Sequence, residues 1–206
     1  KELTFEIGSN SDLVLENTIT HNLEWTIENF GKEEKGYITF PTKFDMVDSL
    51  LDLNHNGRTI IRMSMNPEEI INKVEFGTSR LKNRVEAINK MCDAGYKVGI
   101  LIAPVILVEN WKELYKELII YLSENLSEKV KKEAFFEVIF MTYSYVHKMI
   151  NREAFPMAID LFNPDTMTGR GRGKYAYKKE IREDGGKYIR ELLLKYFPNN
   201  KIAYVV

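Results

Sequence analysis

Lys97-Val98-Gly99-Ile100-Leu101-Ile102-Ala103-Pro104-Val105 is the stretch on which the fold turns. From Val98 to Pro104 it carries no charged or strongly polar side chain. A strand with one wet face alternates apolar and polar residues, whereas a strand covered on both faces does not. The run therefore predicts a strand covered on both faces in a parallel sheet.

Working outward, the same unit repeats. Leu3 to Gly8 reads as a strand, followed by a helix that Asp12 caps and Gly31 stops, with Leu15, Ile19, Leu23, Ile27 and Phe30 on one face. Tyr37 to Thr42 is a second strand, Phe44 to Leu53 a short helix, Asn54-His55-Asn56-Gly57 a turn and Thr59 to Met65 a third strand. A short helix over Glu68 to Val74 precedes a longer one, capped at Thr78 or Ser79 and ended by Gly95. After the central strand, Trp111, Leu114, Leu118, Leu122 and Leu126 recur at helical spacing, and Phe135 to Met141 is a fifth strand. Residues 151 to 173 form a loop-rich insertion, followed by a strand-like run at Lys174 to Lys178, a helix from Tyr188 to Phe197 and a last strand, Ile202 to Val206. Strands alternating with helices predict an α/β fold with a parallel sheet, either doubly wound or part of a (β/α) barrel, in a single domain over 1–206.

Composition narrows the function classes. Lysine and arginine total 29 against 30 acidic residues, so a nucleic-acid site has to be a local patch and not a global field. The one cysteine, Cys92, excludes an internal disulfide, and His21, His55 and His147 are too scattered for a metal site. No run approaches the ~20 apolar residues of a membrane helix, and the acidic start Lys1-Glu2-Leu3-Thr4-Phe5-Glu6 lacks the apolar core of a signal peptide. A cytoplasmic, monomeric protein with no membrane contact is expected. Because the sequence opens directly on a strand, a preceding segment of a longer protein is expected as well.

In parallel α/β folds ligands bind at the carboxyl ends of the strands. Polar residues recur there: Ser9, Asn10, Ser11 and Asp12, then Thr42 and Lys43, then Ser64 and Asn66. Lys43 can pair with a carboxylate or phosphate as a compact charge, or be an ordinary loop lysine. Ser64, between Met63 and Met65, faces away from both, as a ligand-facing or a core hydroxyl. The Gly8 to Asp12 loop suits an anion at a helix N-terminus but lacks the dinucleotide-binding glycines, so a plain capping loop competes. Gly169-Arg170-Gly171-Arg172-Gly173-Lys174-Tyr175-Ala176-Tyr177-Lys178-Lys179 is the best nucleic-acid patch, with cations for phosphates and rings for bases. The competing explanation is a flexible hairpin with solvated charges. Cys92, beside Met91, reads as a small buried hydrophobe.

Together these segments resemble the spore photoproduct lyase family of radical SAM DNA-repair enzymes. The resemblance runs nearly the whole chain through Phe5-Glu6 with Ser11-Asp12, Phe40-x-Thr42-Lys43-Phe44, Val47-Asp48-x-Leu50-Leu51, His55-Asn56-Gly57 and Arg62-x-Ser64. It continues through Phe76-Gly77-Thr78-Ser79, Ala94-Gly95-Tyr96, Ala103-Pro104, Gly173-Lys174-Tyr175 and Phe197-Pro198-Asn199. It implies a partial (β/α) TIM-type barrel with S-adenosyl-L-methionine (SAM) across its carboxyl-end rim. By matched position Ser11, Lys43, Ser64 and Ala103 hold SAM, with Lys43 on the methionyl carboxylate. Arg170, Arg172, Lys174 and Tyr175 fall in the hairpin that enters damaged DNA, although the tyrosine expected beside the arginine is absent.

Two departures carry consequences. The family's Cys-x3-Cys-x2-Cys run, which holds a 4Fe-4S cluster, lies upstream of the residues present, so this chain by itself is expected to be inert. At Ser9 the family has its hydrogen-atom donor, a cysteine; an O–H bond is much stronger than S–H, so serine is a poor donor to a thymine radical. Ser9 points to an engineered donor knockout or to a divergent relative, and the other departures favour the relative. The expected function is thymine-dimer repair. The alternatives are a radical SAM enzyme for another substrate and a non-catalytic barrel used as a binding module.

Overall fold

The computed structural model describes residues 2–206; Lys1, part of the N-terminal stretch discussed above, lies outside the described residues. Six strands form one sheet: β1 (Thr4–Glu6), β2 (Tyr37–Thr42), β3 (Thr59–Ser64), β4 (Lys97–Val105), β5 (Phe135–Phe140) and β9 (Ile202–Val205). They lie in the order β1-β2-β3-β4-β5-β9, each neighbouring pair parallel. A doubly wound sheet reverses its strand order at a switch point. Here the first five strands add in chain order, as in a (β/α) barrel, and the sheet curls into a half-barrel ringed by helices.

The helices are α1 (Leu13–Thr20), α2 (Asn22–Phe30), α3 (Glu68–Val74), α4 (Leu81–Asp93), α5 (Trp111–Asn125), α6 (Glu128–Glu133), α7 (Tyr145–Ala154) and α8 (Lys179–Tyr196). The period of two along each strand sends alternate residues to opposite faces. Ile61, Met63, Val98, Ile100, Ile102, Phe136 and Val138 go to the helix side, where they are buried in a core with Ile27, Val85, Ile88, Leu118 and Leu122. The other set, including Arg62, Ser64, Ala103 and Glu137, lines the concave side. A second, antiparallel sheet, β6-β8-β7, sits beside the carboxyl end of β5 and is built from β6 (Thr142–Ser144), β7 (Met167–Gly171) and β8 (Lys174–Tyr177).

Several local expectations change. The helix expected from Asp12 to Gly31 is two, broken where His21 takes a left-handed φ of 54°, which leaves Ile19 exposed. Phe44 to Leu53 is not a helix: only the turn Asp48–Leu50 is helical, of 3₁₀ type, and Asp45 is tied across to Ser79 and Asn83. Ser79 spends its hydroxyl on that contact, so α4 starts at Leu81 with Arg80 at its cap position. The insertion at 151–173 is less irregular than expected, since it holds the end of α7 and all of β7. The last helix begins at Lys179 and not at Tyr188.

Candidate functional site

The strand ends fix the site. Asp12 caps α1, its Oδ1 accepting from Val14 N at 3.1 Å, and the same carboxylate accepts from Thr42 Oγ1 at 2.8 Å and from Lys43 N at 2.8 Å. One side chain thus locks the loop after β1 to the end of β2. It leaves the Lys43 side chain leaning over the sheet toward β3 and β4.

There the Lys43 ammonium donates to Ser64 Oγ at 2.9 Å, Glu75 Oε1 at 2.7 Å and the Ala103 carbonyl at 3.2 Å. Ser64 Oγ donates in turn to the Ala103 carbonyl at 2.7 Å. Ser9, Ser11, Lys43, Ser64 and Ala103 all line one cavity of ≈ 540 Å³, together with Gly8, Asp12, Leu101 and Met141. The four residues that the resemblance assigns to SAM, Ser11, Lys43, Ser64 and Ala103, therefore open into the same space, whereas Asn66, also expected at the rim, is buried and bonded to Glu75 and Tyr115.

Glu75 is the member that sequence reasoning missed. It lies one residue past α3, its side chain 4% exposed, and accepts from Lys43, from Asn66 Nδ2 at 2.8 Å and, through Oε2, from Arg84 Nη2 at 2.7 Å. Arg84 is fully buried and spends its other donors on the Ser64 and Ser79 carbonyls and the Thr78 hydroxyl. Desolvation pushes the Glu75 pKa up, but the Lys43 and Arg84 charges outweigh it and hold the carboxyl below its ordinary value. Burial pulls Lys43 down against the opposing pull of Glu75. The only signal in the sequence is the pair of charges nine residues apart, Glu75 and Arg84, which periodicity does not flag.

The second predicted patch folds as a hairpin. Arg172 and Gly173 form its two-residue turn, with φ of 52° and 69°, the sign that a type I′ turn requires at both positions. A register shift between Gly169 and Gly171 leaves Arg170 as an extra, bulged residue. Arg170, Arg172 and Lys174 are exposed, as expected. Tyr175, two residues past the turn, is half-buried and packs edge-on against Phe162 at 4.9 Å and Tyr145 at 5.7 Å.

The remaining candidates are structural. Burial pushes the Cys92 thiol up to about 11, and it sits on α4 at the core side. His55 stacks on Tyr96 at 3.8 Å and holds the Asn54–Gly57 turn through Gly57 N. Among the described residues no three His, Cys, Asp or Glu side chains gather as a metal site, and no helix is long and apolar enough to cross a membrane.

A family model described as spore photoproduct lyase matches residues 1–206. The chain belongs to the spore photoproduct lyase family. Its relatives include spore photoproduct lyase of Bacillus subtilis, 36% identical over 97% of this chain and 60% of the relative. That of Clostridium acetobutylicum is 32% identical over 98% of this chain and 60% of the relative. A doubly substituted spore photoproduct lyase with bound AdoMet and dinucleoside spore photoproduct superposes with a TM-score of 0.92 at 31% identity, covering all of this chain and 62% of that one. A spore photoproduct lyase complexed with the dinucleoside photoproduct gives 0.91 at 32% identity, over 98% of this chain and 61% of that one. The chain thus spans about 60% of the length of the spore photoproduct lyases it matches.

Proposed function

We propose that these residues form the cofactor-holding and lesion-holding part of a radical SAM enzyme that reverses the thymine-dimer spore photoproduct in DNA. The single observation that carries this is the convergence of Ser11, Lys43, Ser64 and Ala103 on one cavity at the carboxyl ends of parallel strands. A structural relative carries AdoMet and the dinucleoside photoproduct together on the same fold.

The residues suit that cofactor. Lys43, 31% exposed toward the cavity, is the natural partner of the aminoacyl carboxylate, with Glu75 and Ser64 fixing the ammonium. An incoming carboxylate would take the hydrogen now given at 3.2 Å to the Ala103 carbonyl, which keeps the Ser64 hydroxyl. Ser11 and the loop it shares with Asp12 close the side of the cavity nearest β1. Bound there, SAM supplies one-electron cleavage chemistry. The 4Fe-4S cluster that the family uses for it does not fit these residues, because Cys92 is the one thiol and it is buried. In this reading Arg170, Arg172 and Lys174 supply the phosphate contacts, and the protein acts as a monomer in the cytoplasm.

Calorimetric titration of SAM into the full-length reconstituted protein tests the assignment. Binding that disappears in Lys43→Ala is expected; binding indifferent to that substitution removes the central support. Ser9, on the cavity wall where the family's donor thiol stands, favours a second possibility, a radical SAM reaction on another substrate. Restoration of thymine-dimer reversal by Ser9→Cys selects the first; SAM cleavage with no damage-specific DNA affinity selects the second.

A further inference from the structure

We propose that the cavity between α7 and residues 155–161 is a second nucleotide subsite, which seats a phosphate-bearing nucleotide of the DNA strand beside the reacting bases. The identity of the ligand as DNA rests on the function proposed above; the cavity itself does not. An amphipathic helix on a globular protein normally turns its apolar stripe inward. On α7 the order is reversed. Tyr145, Val146, Met149 and Ile150 are 43–64% exposed, and no residue of the helix is buried. The face formed by His147, Lys148, Asn151 and Arg152 instead lines an open groove of ≈ 320 Å³.

That polar face is only partly satisfied. Lys148 is neutralised by Asp160 at 2.6 Å, and Asp160 also accepts from the Tyr143 hydroxyl at 3.3 Å. His147, Asn151 and Arg152 make no side-chain hydrogen bond or ion pair among the described residues. A guanidinium with its fork free, beside an amide and an imidazole, is suited to phosphate oxygens. The far wall is apolar, with Phe155, Pro156 and Leu161 offering a surface for a sugar or a base.

Position supports the same ligand. Met141 and Thr142 line both this cavity and the one that holds Lys43 and Ser64, so a strand seated here runs directly into the reaction site. At the other end Tyr145 N donates to the Gly173 carbonyl at 3.0 Å, which fastens the start of α7 to the hairpin turn. Arg152 lies seven residues further along the helix, about 10 Å away at 1.5 Å per residue. A strand gripped by Arg170 and Arg172 can therefore reach Arg152 within a few nucleotide steps.

The test compares two ligands by fluorescence anisotropy on the full-length protein: the dinucleoside photoproduct without external phosphates, and the same lesion within a short single strand. Arg152 is exposed and touches no partner, so Arg152→Ala leaves the fold intact. The expected result is an about tenfold loss of affinity for the strand, a salt slope shallower by about 0.7, and no loss for the dinucleoside. Equal loss on both ligands, or loss on neither, overturns the subsite. If wild type binds damaged and undamaged strands alike and both weaken in Arg152→Ala, the subsite stands while the repair function falls.

Discussion

At the scale of single residues, Glu75 decides more than its place after a short helix suggests. It is the sole anion joining two cations, Lys43 and Arg84, at a site where it is nearly out of water. Removing one partner of a buried pair costs about 3–5 kcal/mol, because the remaining charge is stranded. Glu75→Gln is therefore expected to lower stability by about that amount in chemical denaturation at neutral pH. The folded-state pKa lies below the ordinary 4.5, so the stabilising contribution is present above that pH and is lost as pH falls through the folded value. The wild type should lose Tm more steeply than the variant on acidification from pH 5. Arg172 makes the opposite case. Its left-handed backbone costs about 1 kcal/mol relative to glycine, so Arg172→Gly should raise thermal stability while weakening DNA binding in an anisotropy assay. Lys43 and Ser64 were legible in the sequence because strand-end position and family likeness point to them. Glu75 was not, because its role exists only once α3, α4 and the loop after β2 meet.

At the scale of elements, the strands of the parallel sheet were read almost to the residue, β6 and β7 were missed, and the helices were read less well. Continuous apolar runs such as Val98 to Ile102 leave little choice, whereas helix starts depend on tertiary contacts. The last helix, expected from Tyr188, begins nine residues earlier and runs through Gly185-Gly186. Both residues sit mid-helix in α8 because the sheet comes too close for a side chain. A Cβ on Gly185 would meet the Phe140 ring at 2.9 Å, and one on Gly186 would meet Val205 at 3.0 Å. Elsewhere Gly→Ala inside a helix gains about 1 kcal/mol; here Gly185→Ala should lower Tm, since α8 has to move away from β5. Phe140 also walls the Lys43 cavity, so the same variant should weaken SAM binding measured by calorimetry. The break at His21 escaped notice because nothing in the spacing of Leu15, Ile19 and Leu23 marks a left-handed residue between them.

At the scale of the whole molecule, a net charge of −1 means that the hairpin, in its proposed role, would hold DNA without a supporting field. Each phosphate contact on a single strand contributes about 0.7 to the slope of log affinity against log salt. Replacing Arg170, Arg172 and Lys174 together should flatten that slope by about 2 in a salt titration. The strand order carries a different consequence. These six parallel strands curl around a concave side that carries charged side chains. Arg62 stands there between Glu6, 3.2 Å from its Nη2, and Glu137, 3.3 Å from its Nη1, and its Nε has no hydrogen-bond partner among the described residues. A greasy trough would glue copies together; a belt of ions one storey beneath the proposed cofactor rim gives them little reason to stick.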